Sequence, residues 1–129
     1  MRKALHFFAF LVLLALWTWK LLEPIPVPES VTGGLSADLK FILAKTLHAV
    51  VYAILTILGI TLTQRWKWWL VGFLLLHGVG TEIGQTFVPN RSGSVRDVLI
   101  DWVGIGCGVG MVWWFRRLRL RGKEEHSSI

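Results

Sequence analysis

Four long apolar runs, separated by short polar stretches, dominate the chain. They cover about Lys3–Leu22, Leu39–Thr63, Trp66–Phe87 and Val95–Phe115. Each run is long enough for a helix to cross a hydrocarbon core of about 30 Å, at a rise of about 1.5 Å per residue. The pattern predicts an all-α membrane protein, a bundle of four transmembrane helices in one domain over residues 1–117. Residues 118–129 are predicted to be a disordered, basic and polar cytoplasmic tail.

The connections between the runs predict how the helices pair. Gln64 and Arg65 give a very short connection between helices 2 and 3, and VPNRSGS joins helices 3 and 4 over residues 88–94. Short connections favour two antiparallel hairpins. The first connection, residues 23–37, carries three of the four prolines and is expected to follow an extended, polyproline-like path. Ser94 is predicted to N-cap helix 4, with Asp97 in its first turn.

Composition and charge support a membrane protein and set its orientation. The 129 residues are 53% hydrophobic and 17% charged, which is more apolar than an ordinary soluble domain of this length. The net charge of +6 comes largely from basic residues before helix 1, between helices 2 and 3, and after helix 4. The positive-inside rule therefore predicts a multi-pass protein with both termini in the cytoplasm, and we expect no nucleic-acid partner.

Tryptophan and glycine suggest how the helices sit and pack. Trp17 and Trp19 are predicted at the outer interface, and a cytoplasmic aromatic belt is predicted from Trp66, Trp68, Trp69, Trp113 and Trp114. Three pairs of glycines lie four residues apart: Gly80 and Gly84, Gly104 and Gly108, and Gly106 and Gly110. This spacing favours close helix contact, either between helices 3 and 4 or across a homodimer.

Polar residues recur on one face of helices 2, 3 and 4. They are Lys45, His48 and Tyr52 on helix 2, Glu82 and Gln85 on helix 3, and Asp97 and Asp101 on helix 4. Counted from the helical rise, four of them lie about 7–13 Å below the outer helix ends, in the outer half of the bilayer: Lys45, His48, Glu82 and Asp101. A charge facing lipid costs at least about 2.5–3.5 kcal/mol at a helix centre, so these side chains should point inward.

The inward-facing charges should pair with one another. We predict ion pairs between the basic residues and the acidic ones, which are Lys45, Arg91 and Arg96 against Glu82, Asp97 and Asp101. Each residue alone fits a structural role, such as locking helices together, and His77 is interpreted as structural. The whole set at one depth favours a site.

Within that site, the residue types suggest two roles. His48, Glu82 and Asp97 are the candidate acids and bases if chemistry occurs. Lys45, Tyr52, Gln85, Arg91, Arg96 and Asp101 are the candidate ligand-binding residues, with the arginines suited to a phosphate or carboxylate. His48, Glu82 and Asp101 could hold a metal, but three ligands on separate helices without tight spacing are a weak signal, so neither a metal nor a cofactor is predicted.

The joint pattern of these residues resembles the VanZ-like family of small membrane proteins. It reads K-x2-H-x3-Y on helix 2, followed by E-x2-Q-x5-R-x4-RDVLxD-x2-G, and ends at Gly104. Many members have Asp where this chain has Ala44, and Asn where it has Asp101. The resemblance implies a helical membrane fold in the inner membrane of the bacterial cell envelope and, from the family's name, a contribution to resistance against the glycopeptide teicoplanin. It implies no particular reaction.

Three functions follow as hypotheses. The first is an outer-leaflet site for an anionic membrane lipid or a lipid-linked cell-wall precursor, with or without chemistry on it. The second is a non-enzymatic accessory protein of the envelope, whose polar cluster locks the bundle. The third is a transporter or flippase gate, which ranks last because no polar stripe continues into the inner half of the helices.

Overall fold

The computed structural model describes residues 2–24, 37–63, 67–89 and 91–127. Within these segments the chain forms four α-helices: α1 (Arg2–Leu22), α2 (Ala37–Leu62), α3 (Lys67–Gln85) and α4 (Val95–Ser127). The predicted all-helical class and the number of helices are confirmed. The polyproline-like path predicted for the first connection falls mostly on residues 25–36, which lie outside the described residues.

Three of the described helices are long and apolar enough to cross a membrane. The qualifying stretches are Ala4–Leu22, Ile42–Leu62 and Val95–Arg121. Helix α3 has 19 residues, which gives a length of about 28 Å, but its apolar stretch is interrupted by His77, Glu82 and Gln85. Two of these residues, Glu82 and Gln85, are assigned to the site by the sequence, whereas His77 is interpreted as structural.

Helix α4 packs most extensively on α2, and this contact depends on glycine. A Cβ atom at Gly104 would collide with the backbone of Ala49, and one at Gly108 would lie 2.7 Å from the carbonyl oxygen of Ala53. The two backbones can approach this closely only because both positions lack a side chain. The later residue of α4, Gly108, meets the later residue of α2, Ala53, so α2 and α4 run in the same direction.

The glycine partners differ from those that the sequence predicts. Gly104 and Gly108 serve the contact between α4 and α2, not one between helices 3 and 4. Gly84 lies against Leu22 of α1, while a methyl group added at Gly80, Gly106 or Gly110 would meet none of the described atoms within 4 Å. Residue spacing identifies a face suited to close packing, but it does not identify which helix covers that face.

Helix α1 packs on α2 and α3 and, within the described part of the chain, does not touch α4. Trp17 of α1 is 6% exposed and joins the core with Leu21 and Tyr52, whereas an interfacial anchor is ordinarily exposed. The sequence shows that Trp17 is near a helix end, which suggests an interfacial position. It does not show that Trp17 lies on the face of α1 that packs against the other helices, and that face determines its burial. Trp19 points outward, as expected of an interfacial anchor.

The C-terminal helix is longer than the sequence suggests. Helix α4 continues to Ser127 and thus runs through most of the segment predicted as a disordered tail. Leu118, Arg119, Leu120 and Arg121 are all good helix formers and no proline interrupts them, so an established helix can propagate beyond the apolar stretch.

The α2–α4 contact gives a test of the fold. Gly104→Ala should lower the free energy of unfolding by about 1–3 kcal/mol, since the added methyl group would push the two backbones apart. Gly106→Ala, on the open face of the same helix, should be neutral or stabilise by up to about 1 kcal/mol. Unfolding of both variants in detergent measures the difference, and equal stability would contradict the packing described.

Candidate functional site

The polar stripes of the three helices meet at one end of the bundle. We call the seven residues that carry them the polar cluster: Lys45, His48, Tyr52, Glu82, Gln85, Asp97 and Asp101. Tyr52 and Asp101 are fully buried, and Glu82, Gln85 and Asp97 are each less than 10% exposed. The cluster is therefore an interior feature and not a patch of surface charge.

Because α2 and α4 run parallel, two polar contacts form between them, one helical turn apart. The Lys45 ammonium makes an ion pair and hydrogen bond with Asp97 Oδ1. One turn further along, His48 Nδ1 lies 3.0 Å from Asp101 Oδ1. Because both helices advance by the same rise, residues spaced three or four apart on each helix remain opposite one another.

Glu82 enters the cluster from the end of α3, where the chain turns toward α4. Gly93 lies so close to the backbone carbonyl group of Glu82 that no Cβ atom would fit there. This close approach brings the backbone N–H of Ser94 to donate a 2.8 Å hydrogen bond to Glu82 Oε2. The Ser94 carbonyl group accepts from the amide of Val98, which places Ser94 at the N-cap position of α4.

Helix α1 contributes to the site, which the sequence does not predict. The Trp17 ring meets the His48 ring edge-on, with centroids 5.2 Å apart. Thr18 Oγ1 lies 2.9 Å from His77 Nε2, and His77 Nδ1 lies 2.9 Å from the Tyr52 hydroxyl group. His77 thus links α1 to α2 through α3, in agreement with a structural role. The only sequence signal for Thr18 is a small polar residue within an apolar helix.

The two predicted arginines do not join the acids. Arg91 donates hydrogen bonds to the backbone carbonyl oxygens of Glu23, at 2.8 Å, and Lys20, at 3.1 Å, at the C-terminal end of α1. Carbonyl groups at a helix end lack intrahelical donors, so a guanidinium group satisfies them well. Arg96 is exposed and pairs with none of the described acids. Of the predicted basic partners, only Lys45 therefore forms its ion pair.

Several polar atoms of the cluster have no hydrogen-bond partner among the described residues. They are Glu82 Oε1, Gln85 Nε2 and Asp101 Oδ2, all buried. A buried polar group without a partner costs free energy of about 1–3 kcal/mol. In protein interiors such groups are usually satisfied by a bound water, an ion or another ligand.

A groove opens beside the cluster, between the end of α3 and the start of α4. It has a volume of about 240 Å³ and is lined by Val79, Glu82, Ile83, Thr86, Gly93, Ser94, Val95 and Val98. Its walls are mainly apolar, with the Glu82 carboxyl group as the single acidic group among them. Of the polar cluster, Glu82 alone contributes to this lining.

Comparison with known proteins identifies one family. The family model described as VanZ/LLP1 matches residues 1–116, which include α1, α2, α3 and most of α4. The resemblance that the polar motif predicts is thereby confirmed. No curated protein matches the chain. No solved structure matches it.

The Lys45–Asp97 pair gives a prediction about stability. Lys45→Met should destabilise the protein by about 3 kcal/mol or more, because it leaves a mostly buried carboxylate without its cation. The further change Asp97→Asn should recover much of that loss, which a double-mutant cycle measures by equilibrium unfolding in detergent.

A matched control exists at the surface. Lys20 pairs with Glu23 at 2.7 Å, but their side chains are 67% and 39% exposed. Lys20→Met should therefore change stability by no more than about 1 kcal/mol. Strictly additive effects of the Lys45 and Asp97 changes would show that their pairing contributes nothing.

Proposed function

The chain belongs to the VanZ/LLP1 family of membrane proteins, and from this premise we propose that it binds an anionic lipid of the bacterial envelope. The bound molecule is a membrane lipid or a lipid-linked cell-wall precursor held in the outer leaflet. The observation that carries the proposal is the apolar groove between α3 and α4, which has a buried carboxyl group in its wall. Arg96, which is exposed, follows the lining residue Val95 in the sequence. We also propose a contribution to glycopeptide resistance, for which the support is the family's name.

The proposal requires a defined orientation in the membrane. We place α3 across the bilayer as a fourth span, with both termini in the cytoplasm of the inner membrane. The order of contacts supports an antiparallel α2–α3 hairpin, since Tyr52 meets His77 whereas Gly59, further along α2, meets the earlier residue Leu70. It supports an antiparallel α3–α4 hairpin in the same way, since Ser94 meets Glu82 whereas Trp102 meets the earlier residue Leu75. The exposed indoles of Trp68, Trp69, Trp113 and Trp114 support an aromatic belt at the cytoplasmic end.

The groove suits a hydrocarbon chain. Its aliphatic lining residues come from α3 and α4, and two of them are largely exposed, Ile83 at 57% and Val95 at 79%. Exposed aliphatic side chains beside a groove allow a lipid chain to enter from the bilayer without crossing a polar barrier. A volume of about 240 Å³ accommodates a section of an acyl or isoprenoid chain, not a whole lipid.

Arg96 is the residue that we assign to the anionic headgroup. It follows the groove residue Val95 in the first turn of α4, and its guanidinium group is exposed. Guanidinium groups bind phosphates and carboxylates through two parallel hydrogen bonds. Arg91, predicted for the same role, already donates to the carbonyl oxygens of α1, so its contribution to the site is to position the turn.

Glu82 has the best position for acid or base function. Asp97 is paired with Lys45, and His48 lies against Asp101, while Glu82 Oε1 has no partner among the described residues and the carboxyl group lines the groove. A carboxyl group in this place can exchange a proton with a bound headgroup. We therefore propose a lipid-binding site. If a reaction takes place there, Glu82 is the residue that would act as its acid or base.

A second function has its own supporting observation. The hydrogen-bond chain from Thr18 through His77 to Tyr52 joins three helices, as expected of a lock that holds the bundle of a non-enzymatic accessory protein. Gly106 and Gly110, which face open space, would then receive a partner helix or a second copy of the chain. On this alternative, lipid binding would not depend on Arg96.

The lipid proposal predicts a specific loss on changing Arg96. Arg96→Ala should weaken binding of a polyisoprenyl phosphate by about tenfold or more, because a charge-assisted hydrogen bond contributes about 1.5–3 kcal/mol. Native mass spectrometry of the detergent-solubilised protein measures the bound fraction across a lipid titration. The matched control is Arg121→Ala, which removes an exposed arginine at the other end of the same helix and should leave binding unchanged.

Two further comparisons decide between the alternatives. A polyisoprenol without the phosphate should bind less tightly to the unaltered protein and should not distinguish Arg96→Ala from it. Equal retention of the phosphate lipid by Arg96→Ala and by the unaltered protein would refute the groove proposal and favour the structural lock.

The orientation has a separate test in a background without the native thiol, Cys107→Ser. Phe87→Cys, at a position 83% exposed in the turn between α3 and α4, should react with a membrane-impermeant thiol reagent added to intact cells. Leu120→Cys, 62% exposed near the other end of α4, should react only after the membrane is permeabilised. The reverse labelling pattern would overturn the cytoplasmic placement of the termini.

A further inference from the structure

One set of side chains in the polar cluster has the geometry of a metal site. His48, Glu82 and Asp101 each offer a ligand atom, and these three atoms lie within 4.8 Å of one another. They come from α2, α3 and α4, and hence from three helices that must be packed for the set to form. Ligands about 2.0–2.2 Å from one zinc ion lie about 3.3 Å apart in tetrahedral geometry, so small side-chain movements would close the site.

Both carboxylates of this set have an oxygen without a partner. Asp101 is fully buried and Glu82 is 4% exposed, yet Asp101 Oδ2 and Glu82 Oε1 have no hydrogen-bond partner among the described residues. A buried carboxylate oxygen without a donor is costly, and metal coordination is one of the few ways to satisfy it. Two such oxygens in one three-residue set constitute an observation independent of the short distances.

Charge balance supports a cation of charge two. The cluster contains three carboxyl groups, those of Glu82, Asp97 and Asp101, and its one lysine, Lys45, is paired with Asp97. A divalent ion bound by a neutral His48 imidazole and by the carboxylates of Glu82 and Asp101 would form an electrically neutral site in the protein interior.

The surroundings also fix the orientation of the ligands. The Ser94 amide holds one oxygen of Glu82, which leaves the other available. The Trp17 ring packs edge-on against the His48 imidazole, and a Cβ atom at Gly78 would lie 3.3 Å from Asp101 Oδ2. Contacts of this kind, which position the ligating side chains, are a regular part of metal sites in proteins.

We propose that His48, Glu82 and Asp101 bind one divalent first-row transition metal ion, of which Zn²⁺ and Mn²⁺ are the representatives. The imidazole nitrogen disfavours Ca²⁺ and Mg²⁺, and the absence of thiolate from the set disfavours soft ions. This revises the sequence-based expectation of no metal. The inference goes beyond the lipid proposal, since it depends only on these three side chains and is tested with metal alone.

Three protein ligands leave at least one coordination position open. Glu82 also lines the groove between α3 and α4, so the ion would lie at the inner wall of that groove. An anionic oxygen, such as that of a phosphate group in the groove, is the ligand that we assign to the open position. This last step alone rests on the proposed lipid function.

The test uses the full-length protein in detergent, treated with a chelator and then titrated with Zn²⁺ by calorimetry, with metal content measured after dialysis. We expect one ion per chain and a higher temperature of unfolding with the metal bound. Asp101→Asn and His48→Ala should each weaken binding by at least tenfold. Asp101→Asn keeps the shape of a buried side chain and so separates the loss of a ligand from misfolding.

The control is His6→Ala, which removes an exposed histidine on α1 and should leave the stoichiometry and affinity unchanged. Less than one ion per folded chain, or equal affinity in the unaltered protein and Asp101→Asn, would overturn the proposal. Effective competition by Mg²⁺ at equal concentration would overturn the assignment to transition metals. If the protein binds the metal as expected but Arg96→Ala retains the phosphate lipid equally well, the metal site is supported and the lipid proposal is refuted.

Discussion

The close approach of α2 and α4 is the constraint on which the rest of the structure depends. Gly104 and Gly108 let the two backbones meet at Ala49 and Ala53, and the parallel course of the helices then carries their polar residues to matching heights. The buried ion pair between Lys45 and Asp97 and the contact between His48 and Asp101 are consequences of that approach. A wider separation would leave these charges in an apolar environment without partners.

The sequence predicts the four helices and the composition of the polar cluster because both follow from periodicity and from the cost of charge in lipid. It fails where the answer depends on which helix covers which face. Arg91 is expected among the acids but binds the end of α1, and Trp17 is expected to serve as an anchor but packs in the core. Both differences concern α1, whose partners are separated from it by long stretches of chain.

The polar cluster lies beside a chain of completed hydrogen bonds. The chain from Thr18 through His77 to Tyr52 uses both nitrogens of the imidazole ring and has the character of a permanent structural link. On the other side, Glu82 and Asp101 each retain a buried oxygen without a donor among the described residues. The completed structural link through His77 and the incomplete interactions of Glu82 and Asp101 thus lie side by side, joined through Tyr52.

The order of residues along the chain has a consequence for how the protein is made. Asp97 and Asp101 lie 52 and 53 residues after Lys45 and His48, so α4 is synthesised after α2. The polar face of α2 is therefore made before the acids that neutralise it. The α2–α4 contacts form only after α4 has been translated. Premature termination within α4 would produce a protein whose second helix is poorly suited to remain in lipid.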